Sequence, residues 1–283
     1  MPLRSAPTAR QLRFGVELRR LRERAGLTST EAGQLLGIKQ SQVSNMEGAR
    51  FGVSPERLRA MARHYSCSDN ALIDALIGMT GERKRGWWEE YREILPASLI
   101  DLCELEHHGL KLRTAHTSHI PGLLQIADHA REIFLHMVPA YTPPEVEHRI
   151  SHRVKRQTVL YQDDPPPYQA IIHEAALRMQ FGGRAVAVRQ LRHLLDMSER
   201  DRITIQVIPF SAGAYPGAGQ SIYYVHGPVP QLDTVQLDQA HGPKYVDAQA
   251  ELEVYRLLLE RVEAIALTPD ASRKFIHDIV QDV

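Results

Sequence analysis

The side chains best suited to chemistry crowd into one short stretch, Gln40-Ser41-Gln42-Val43-Ser44-Asn45. All but Val43 are uncharged and hydrogen-bonding. A primary amide carries a donor and an acceptor in one plane, which matches N6 and N7 of adenine in the major groove. A hydroxyl serves a base edge or a phosphate equally well. An ordinary solvated helix face would carry Lys and Glu instead. Lys39 and Arg50 flank the stretch, and Thr28, Ser29 and Thr30 lie a short way upstream. These ten residues (Thr28, Ser29, Thr30, Lys39, Gln40, Ser41, Gln42, Ser44, Asn45 and Arg50) are the candidate contacts to double-stranded DNA.

Other groups invite an enzymatic or metal-binding reading and support it less. Glu104, Glu106, His107 and His108 crowd one helix end, with His116 and His119 nearby. His148 and His152 are four apart, which is metal-ligand spacing on a helix, yet no HExxH accompanies either set and Arg149 and Arg153 suggest a solvated face. Cys103 sits between Leu102 and Glu104-Leu105, where a thiol packs. The small-residue loop Ser211–Gln220 (SAGAYPGAGQ) lacks the Gly-Lys-Ser/Thr ending of a phosphate-binding loop. It is left as either a flap over a small molecule or a structural turn and docking surface, with the second preferred. The expectation is a protein that is not an enzyme, with no cofactor and no metal.

The elements that must position the polar stretch follow from local signals. Leu12, Val16, Leu18 and Leu21 recur at helical spacing until Gly26. Thr28-Ser29-Thr30-Glu31 reads as a capping box opening a short helix with Ala32, Leu35 and Leu36. Gly37 supplies the left-handed residue of a sharp turn, and a second short helix, Gln40–Glu47, follows. Its Val43 and Met46 dock inward and leave the polar face outward. Ser54-Pro55-Glu56 caps a helix to Tyr65, and a last one covers about Asp69–Ile77.

A chain of 283 residues suits two domains. Its formal charge of zero hides an asymmetry: 15 Lys+Arg against 8 Asp+Glu up to Gly86, and 19 against 26 beyond. A basic end joined to an acidic remainder suggests a polyanion-binding module with a separate partner. Two cysteines, no signal-like apolar core in Met1–Arg13 and no run of about 18–20 apolar residues give the expectation of a cytoplasmic, non-membrane protein. The expected division is a helix-turn-helix domain at 1–80, a basic linker at 81–91 and a larger domain at 92–283. In the linker, Arg83-Lys84-Arg85 suits either the DNA backbone or solvent, and Trp87-Trp88 is expected to bury at the start of the second domain.

The larger part mixes elements. Helical spacing covers Leu123–Val138, Glu145–Tyr161, Val186–Leu195, Ala248–Ala266 and Ser272–Val280. Strand-like runs are Leu110–Thr117, Gln169–His173, Ile203–Phe210, Ile222–His226 and Thr234–Leu237. The fold class is multi-domain: an all-α helix-turn-helix domain followed by a larger α+β (mixed α/β) domain.

Leu27–Arg50, LTSTEAGQLLGIKQSQVSNMEGAR, resembles the helix-turn-helix of the Cro/phage-repressor class, also called the xenobiotic-response-element family. The resemblance implies that Gln40, Ser41 and Asn45 face bases and that Thr28–Thr30 touch phosphate. Ser29 stands where the family usually has Gln, and Gly33 where it usually has Ala. The remainder resembles the C-terminal domain of unknown function of actinobacterial WhiJ-like regulators. It does so through Gly86-Trp87-Trp88, His119–Gln125 (HIPGLLQ), Glu174–Arg178, Gln190–Leu194 and Ile203–Gly217. That likeness implies a regulator of development or antibiotic production and a small acidic partner protein, in an arrangement likened to antitoxin systems. The reading is a transcriptional regulator, modulated by that partner or by a small-molecule effector. It is expected to be a homodimer, because one recognition helix reads only a few base pairs.

Overall fold

The computed structural model describes residues 7–80, 86–239 and 242–282. The chain forms two compact units, residues 1–90 with 97–105, and residues 91–96 with 106–283.

In the first unit, α1 (Ala9–Arg24) starts at Thr8, whose hydroxyl accepts from the Gln11 N–H at 3.3 Å. The next helix, α2 (Ser29–Leu36), ends at Gly37 with φ 64°, the left-handed residue expected there. After it come α3 (Gln40–Glu47), α4 (Pro55–His64) and α5 (Asn70–Gly78). Ser54 and Asp69 cap the last two, accepting from the N–H groups of Arg57 and Leu72. Leu18, Ala32, Val43, Met46, Leu58, Met61, Leu72 and Leu76 bury almost completely and form the core. Leu12 and Leu35, counted above with the inward positions, are 46% exposed, because the apolar stripes of α1 and α2 are narrower than their leucine count. Trp88 is buried, and Trp87 meets it edge-on at 6.0 Å. Both lie in a 3-10 helix, Trp87–Tyr91, and belong to the first unit, not to the start of the second. Arg83-Lys84-Arg85 lies outside the described residues. A further helix, α6 (Ala97–His108), follows.

The second unit is built on a six-stranded sheet: β1 (Lys111–His116), β2 (Tyr168–His173), β3 (Ile203–Ile208), β4 (Ile222–His226), β5 (Thr234–Leu237) and β6 (Lys244–Val246). The order is β3-β2-β1-β4-β5-β6. The β3, β2 and β1 strands run parallel, and β4, β5 and β6 continue antiparallel from β1. Side chains alternate across the sheet. One face carries Leu112, Thr114 and His116 with Tyr168, Tyr223 and Gln236 in register. The other carries Arg113, Ala115, Ile171, Tyr224 and Val235, whose apolar members pack with Leu252, Leu259 and Val262 of α11 (Gln249–Ile265).

Three boundaries differ from the periodicity. The expected helix Leu123–Val138 opens as a 3-10 turn at Gly122–Leu124, and α7 covers only Ala127–Leu135. Gln190 forces the break by donating to the Leu124 carbonyl and accepting from the Ile126 N–H. The helix expected at Glu145–Tyr161 is α8 (Pro143–Arg156), finishing as a 3-10 helix. The three-residue β6 has too little pattern to register. The last helices before and after β3 and α11 are α9 (Glu174–Arg178), α10 (Gly183–Met197) and α12 (Pro269–Asp282). Ser272 of α12 accepts the Val207 N–H, so the free edge of β3 is covered.

Candidate nucleic-acid interface

The exposed side of α3 carries Gln40, Ser41, Gln42 and Ser44, with Asn45 half-buried and Lys39 and Arg50 exposed at its two ends. On the inner side Val43 and Met46 are fully buried. The α2–α3 turn is tight: a Cβ on Gly33 would stand 2.8 Å from the Ile38 carbonyl oxygen and 3.2 Å from the Gln40 nitrogen. Glycine at this position therefore sets how closely α2 approaches the start of α3. The helix Gln40–Glu47 is also held from behind. Arg22 of α1 donates to both carboxylate oxygens of Glu47, at 2.6 and 2.9 Å, and to the Leu27 carbonyl at 2.6 Å. The Glu47 hydrogen bond raises the pKa of Arg22 further. Bidentate Arg–carboxylate pairs fix orientation as well as charge.

Several candidate contacts are already engaged. Gln40 Nε2 donates to Ser29 Oγ at 3.0 Å and Ser44 Oγ at 2.8 Å, which links the two motif helices and leaves its Oε1 as the acceptor to present. Gln42 Oε1 accepts the Lys39 N–H at 3.1 Å, so this amide also caps α3. Thr28 is consumed by its own cap: its N–H and hydroxyl both donate to Glu31 Oε2 at 2.7 Å, and its Oγ1 accepts from the Glu31 N–H. Those bonds hold the Glu31 carboxyl below the usual carboxylate range. The negative charge sits at the start of α2, leaving Ser29 and Thr30 as the groups there suited to phosphate.

Sequence reasoning missed the arginines that work inward. Arg22 is 7% exposed, and Glu17, 1% exposed, is flanked by Arg13 at 3.4 Å and Arg20 at 2.5 Å. The Arg13–Glu17 and Glu17–Arg20 pairs do follow helical spacing within α1, but no spacing there announces Arg22, since its partner Glu47 is 25 residues away in sequence.

The second unit separates the groups that suggested metal chemistry. His148 is exposed while His152, four residues on, is 3% exposed and meets Tyr91 edge-on at 5.2 Å. Burial, then the charges of Arg156 and Arg153, lowers His152 to about 3. The solvated face expected of this segment is thus wrong for His152, and Arg149 and Arg156 are buried too. Glu106, 1% exposed, receives both Arg156 Nε and Nη2 at 2.7 and 2.6 Å and the Tyr223 hydroxyl at 2.5 Å. Cys103 is buried, as its apolar neighbours suggested. The 211–220 loop is pinned by Tyr215, stacked on His173, and by Gly217 against Leu258. Among the described residues no three His, Cys, Asp or Glu side chains converge to hold a metal ion, and no helix is long and apolar enough to cross a membrane.

No curated protein and no solved structure matches the chain. Two family models do. One describes a helix-turn-helix domain and matches residues 13–76, which runs from within α1 to within α5, includes every candidate contact and makes the first unit a DNA-binding module of the regulator type. The other describes a domain of unknown function (DUF5753) and matches residues 99–278. With well over half its length in that match, behind a helix-turn-helix, the chain belongs to the DUF5753 family.

Proposed function

We propose that this protein is a sequence-specific transcriptional regulator that reads operator DNA as a homodimer through α3. The observation that carries the reading is the outward face of that helix: amides and hydroxyls, uncharged and exposed, between Lys39 and Arg50. Base discrimination needs short groups with fixed donors and acceptors, and flanking cations serve phosphates. The Ser29–Gln40–Ser44 chain supports it by holding the Gln40 amide in one orientation before DNA arrives. Two copies of such a helix read half-sites about 34–36 Å apart.

On this reading the DUF5753 unit receives an input, a small acidic partner protein or a small-molecule effector, and does not catalyse. The likeness to WhiJ-like regulators favours development or secondary metabolism as the setting, and a cytoplasmic, nucleoid-bound protein follows. An enzyme with a DNA-binding tether is the second reading, and the buried histidines of the second unit are what favours it.

The test is a fluorescence titration of the full chain with DNA from its own promoter, at two salt concentrations and against random duplex. Preference for the promoter, weakening steeply with salt, is expected. Asn45→Ala should relax preference at one base position and cost about 1–3 kcal/mol. Equal affinity for any duplex, or an Asn45→Ala variant with unchanged preference, overturns the assignment of α3.

A further inference from the structure

The helix α11 packs on the sheet through Leu252, Leu259 and Val262, which are buried. With each residue turning the helix by about 100°, the opposite side carries Ala250, Val254, Leu257, Arg261 and Ala264, and all five are exposed. Their spacing of four, three, four, three is that of a seam between paired helices, not of a solvated face. At its centre Val254 is 62% exposed and Leu257 50%. One edge of the seam continues into the half-buried Leu258 and the exposed Ile265. The 211–220 loop reaches that edge, where Gly217 sits against Leu258.

The charges on this side say what fits it. Arg261 has no acidic residue three or four positions away on α11, and Glu251 has no basic one. Neither has an ion-pair partner among the described residues. A parallel copy of the helix would set Arg261 against Arg261. An antiparallel copy, related by a two-fold axis, sets Val254 against Leu257 twice at the centre. The same register places Arg261 against Ala250 of the second copy, whose methyl leaves room for a guanidinium. Glu251 of that copy then stands one residue, about 1.5 Å along the axis, from Arg261 and on the same edge. Each unpaired charge thus meets its complement, twice over. Glu253 and Glu260 rim the other edge, facing solvent that screens their mutual repulsion. Together with Glu251 they repel a strongly acidic protein, whereas a second copy brings its own Arg261 to the rim.

We propose that this face of α11 is the dimer interface. Two copies pair α11 antiparallel, Val254 and Leu257 form the centre, and Arg261 bridges to Glu251 of the second copy. The contact is isologous, as closed two-fold dimers require. The choice of a second copy as occupant rests on the homodimer reading above. A seam of this length belongs to the small class of interfaces, so dimer and monomer exchange reversibly.

The test is sedimentation velocity of the full chain without DNA, over a concentration series that yields the dimer dissociation constant. Wild type should dimerise. Val254→Glu combined with Leu257→Glu should weaken the dimer by about a hundredfold or more, with an unchanged urea midpoint because both positions are exposed. Arg261→Glu should weaken it by about fivefold, and adding Glu251→Arg should bring the constant back towards wild type. Positions 251 and 261 are about 15 Å apart along one helix, so this rescue passes between copies and not within one. A wild type that stays monomeric at its highest soluble concentration overturns the proposal. So does a charge-exchanged variant no tighter than Arg261→Glu. Undiminished dimerisation of the Val254→Glu, Leu257→Glu variant refutes this face and leaves the homodimer reading standing. The operator titration reads α3 separately, so a loss of promoter preference there leaves this interface untouched.

Discussion

Replacing Gly15 by Ala puts two physical effects in direct opposition. Alanine in a helix interior stabilises by roughly 0.5–1 kcal/mol relative to glycine, so propensity alone predicts a gain. Gly15 is buried on α1, and a Cβ there would stand 2.3 Å from the Glu47 carbonyl oxygen and 2.9 Å from its carbon. Both atoms are backbone, so no rotamer change relieves the clash. The end of α3 must withdraw from α1 by about 1 Å to restore ordinary contact distance. Overpacking of this kind costs about 1–3 kcal/mol, and the Arg22–Glu47 pair is stretched by the same movement. The net expectation is a loss of about 1–2 kcal/mol despite the better helix former. Urea denaturation of the full chain, with hydrogen exchange on peptides spanning α1 and α3, reads it directly. Faster exchange in both helices and a lower midpoint are expected. A midpoint equal to or above wild type would refute the claim that Gly15 sets the α1–α3 distance.

Three further outcomes are expected. His129 and His152 have folded pKa values of about 4 and about 3, below the ordinary 6.5; above pH 6.5 both are neutral in either state and their stability contribution is full, and as pH falls the unfolded chain takes protons the native one refuses. Urea midpoints should therefore drop between pH 7 and pH 5, by up to about 1.4 kcal/mol per pH unit per group, and flat midpoints would show these rings protonate freely. Glu106→Gln removes the buried carboxylate that receives Arg156 Nε and Nη2, at a cost of about 3–5 kcal/mol in thermal or urea unfolding, whereas pairing Glu106→Leu with Arg156→Met recovers much of it. If the proposed DNA reading holds, Arg50→Gln lowers the slope of log affinity against log salt by about one, with base preference unchanged in competition assays.

What could be read in advance follows the range of each interaction. The motif helices are announced by signals within four residues: Thr28 with Glu31 at one end, Gly37 at the other, Val43 and Met46 on one face. The polar face of α3 is legible for the same reason. Arg22 is not, because its partner Glu47 lies beyond any local pattern. In α8 residues 146, 149, 150, 153 and 156 follow helical spacing, so Arg149 and Arg156 share the stripe of Val146 and Ile150. Residue type alone marks arginine for solvent, whereas its position on this stripe argues for burial. Strand register, and with it the gathering of His116, Tyr168 and Tyr223 on one face, exists only in the folded sheet.

Both faces of that sheet bury polar groups in bonded networks. On the face covered by α11, Arg113 Nε donates to Gln169 Oε1 at 2.7 Å and Gln169 Nε2 to Gln206 Oε1 at 2.8 Å. Gln206 Nε2 continues to the Leu267 carbonyl, while Arg113 Nη2 reaches Glu263 at 2.8 Å. Each link meets the next within the protein, and such a ladder fixes three strands and the start of α12 in register. On the opposite face the Glu106–Arg156–Tyr223 group is equally complete, but the neighbouring His116 and His129 nitrogens are not. A buried donor or acceptor without a partner costs about 1–3 kcal/mol, and Tyr65 Oη, His226 Nε2 and Gln236 Oε1 are further buried atoms of this kind.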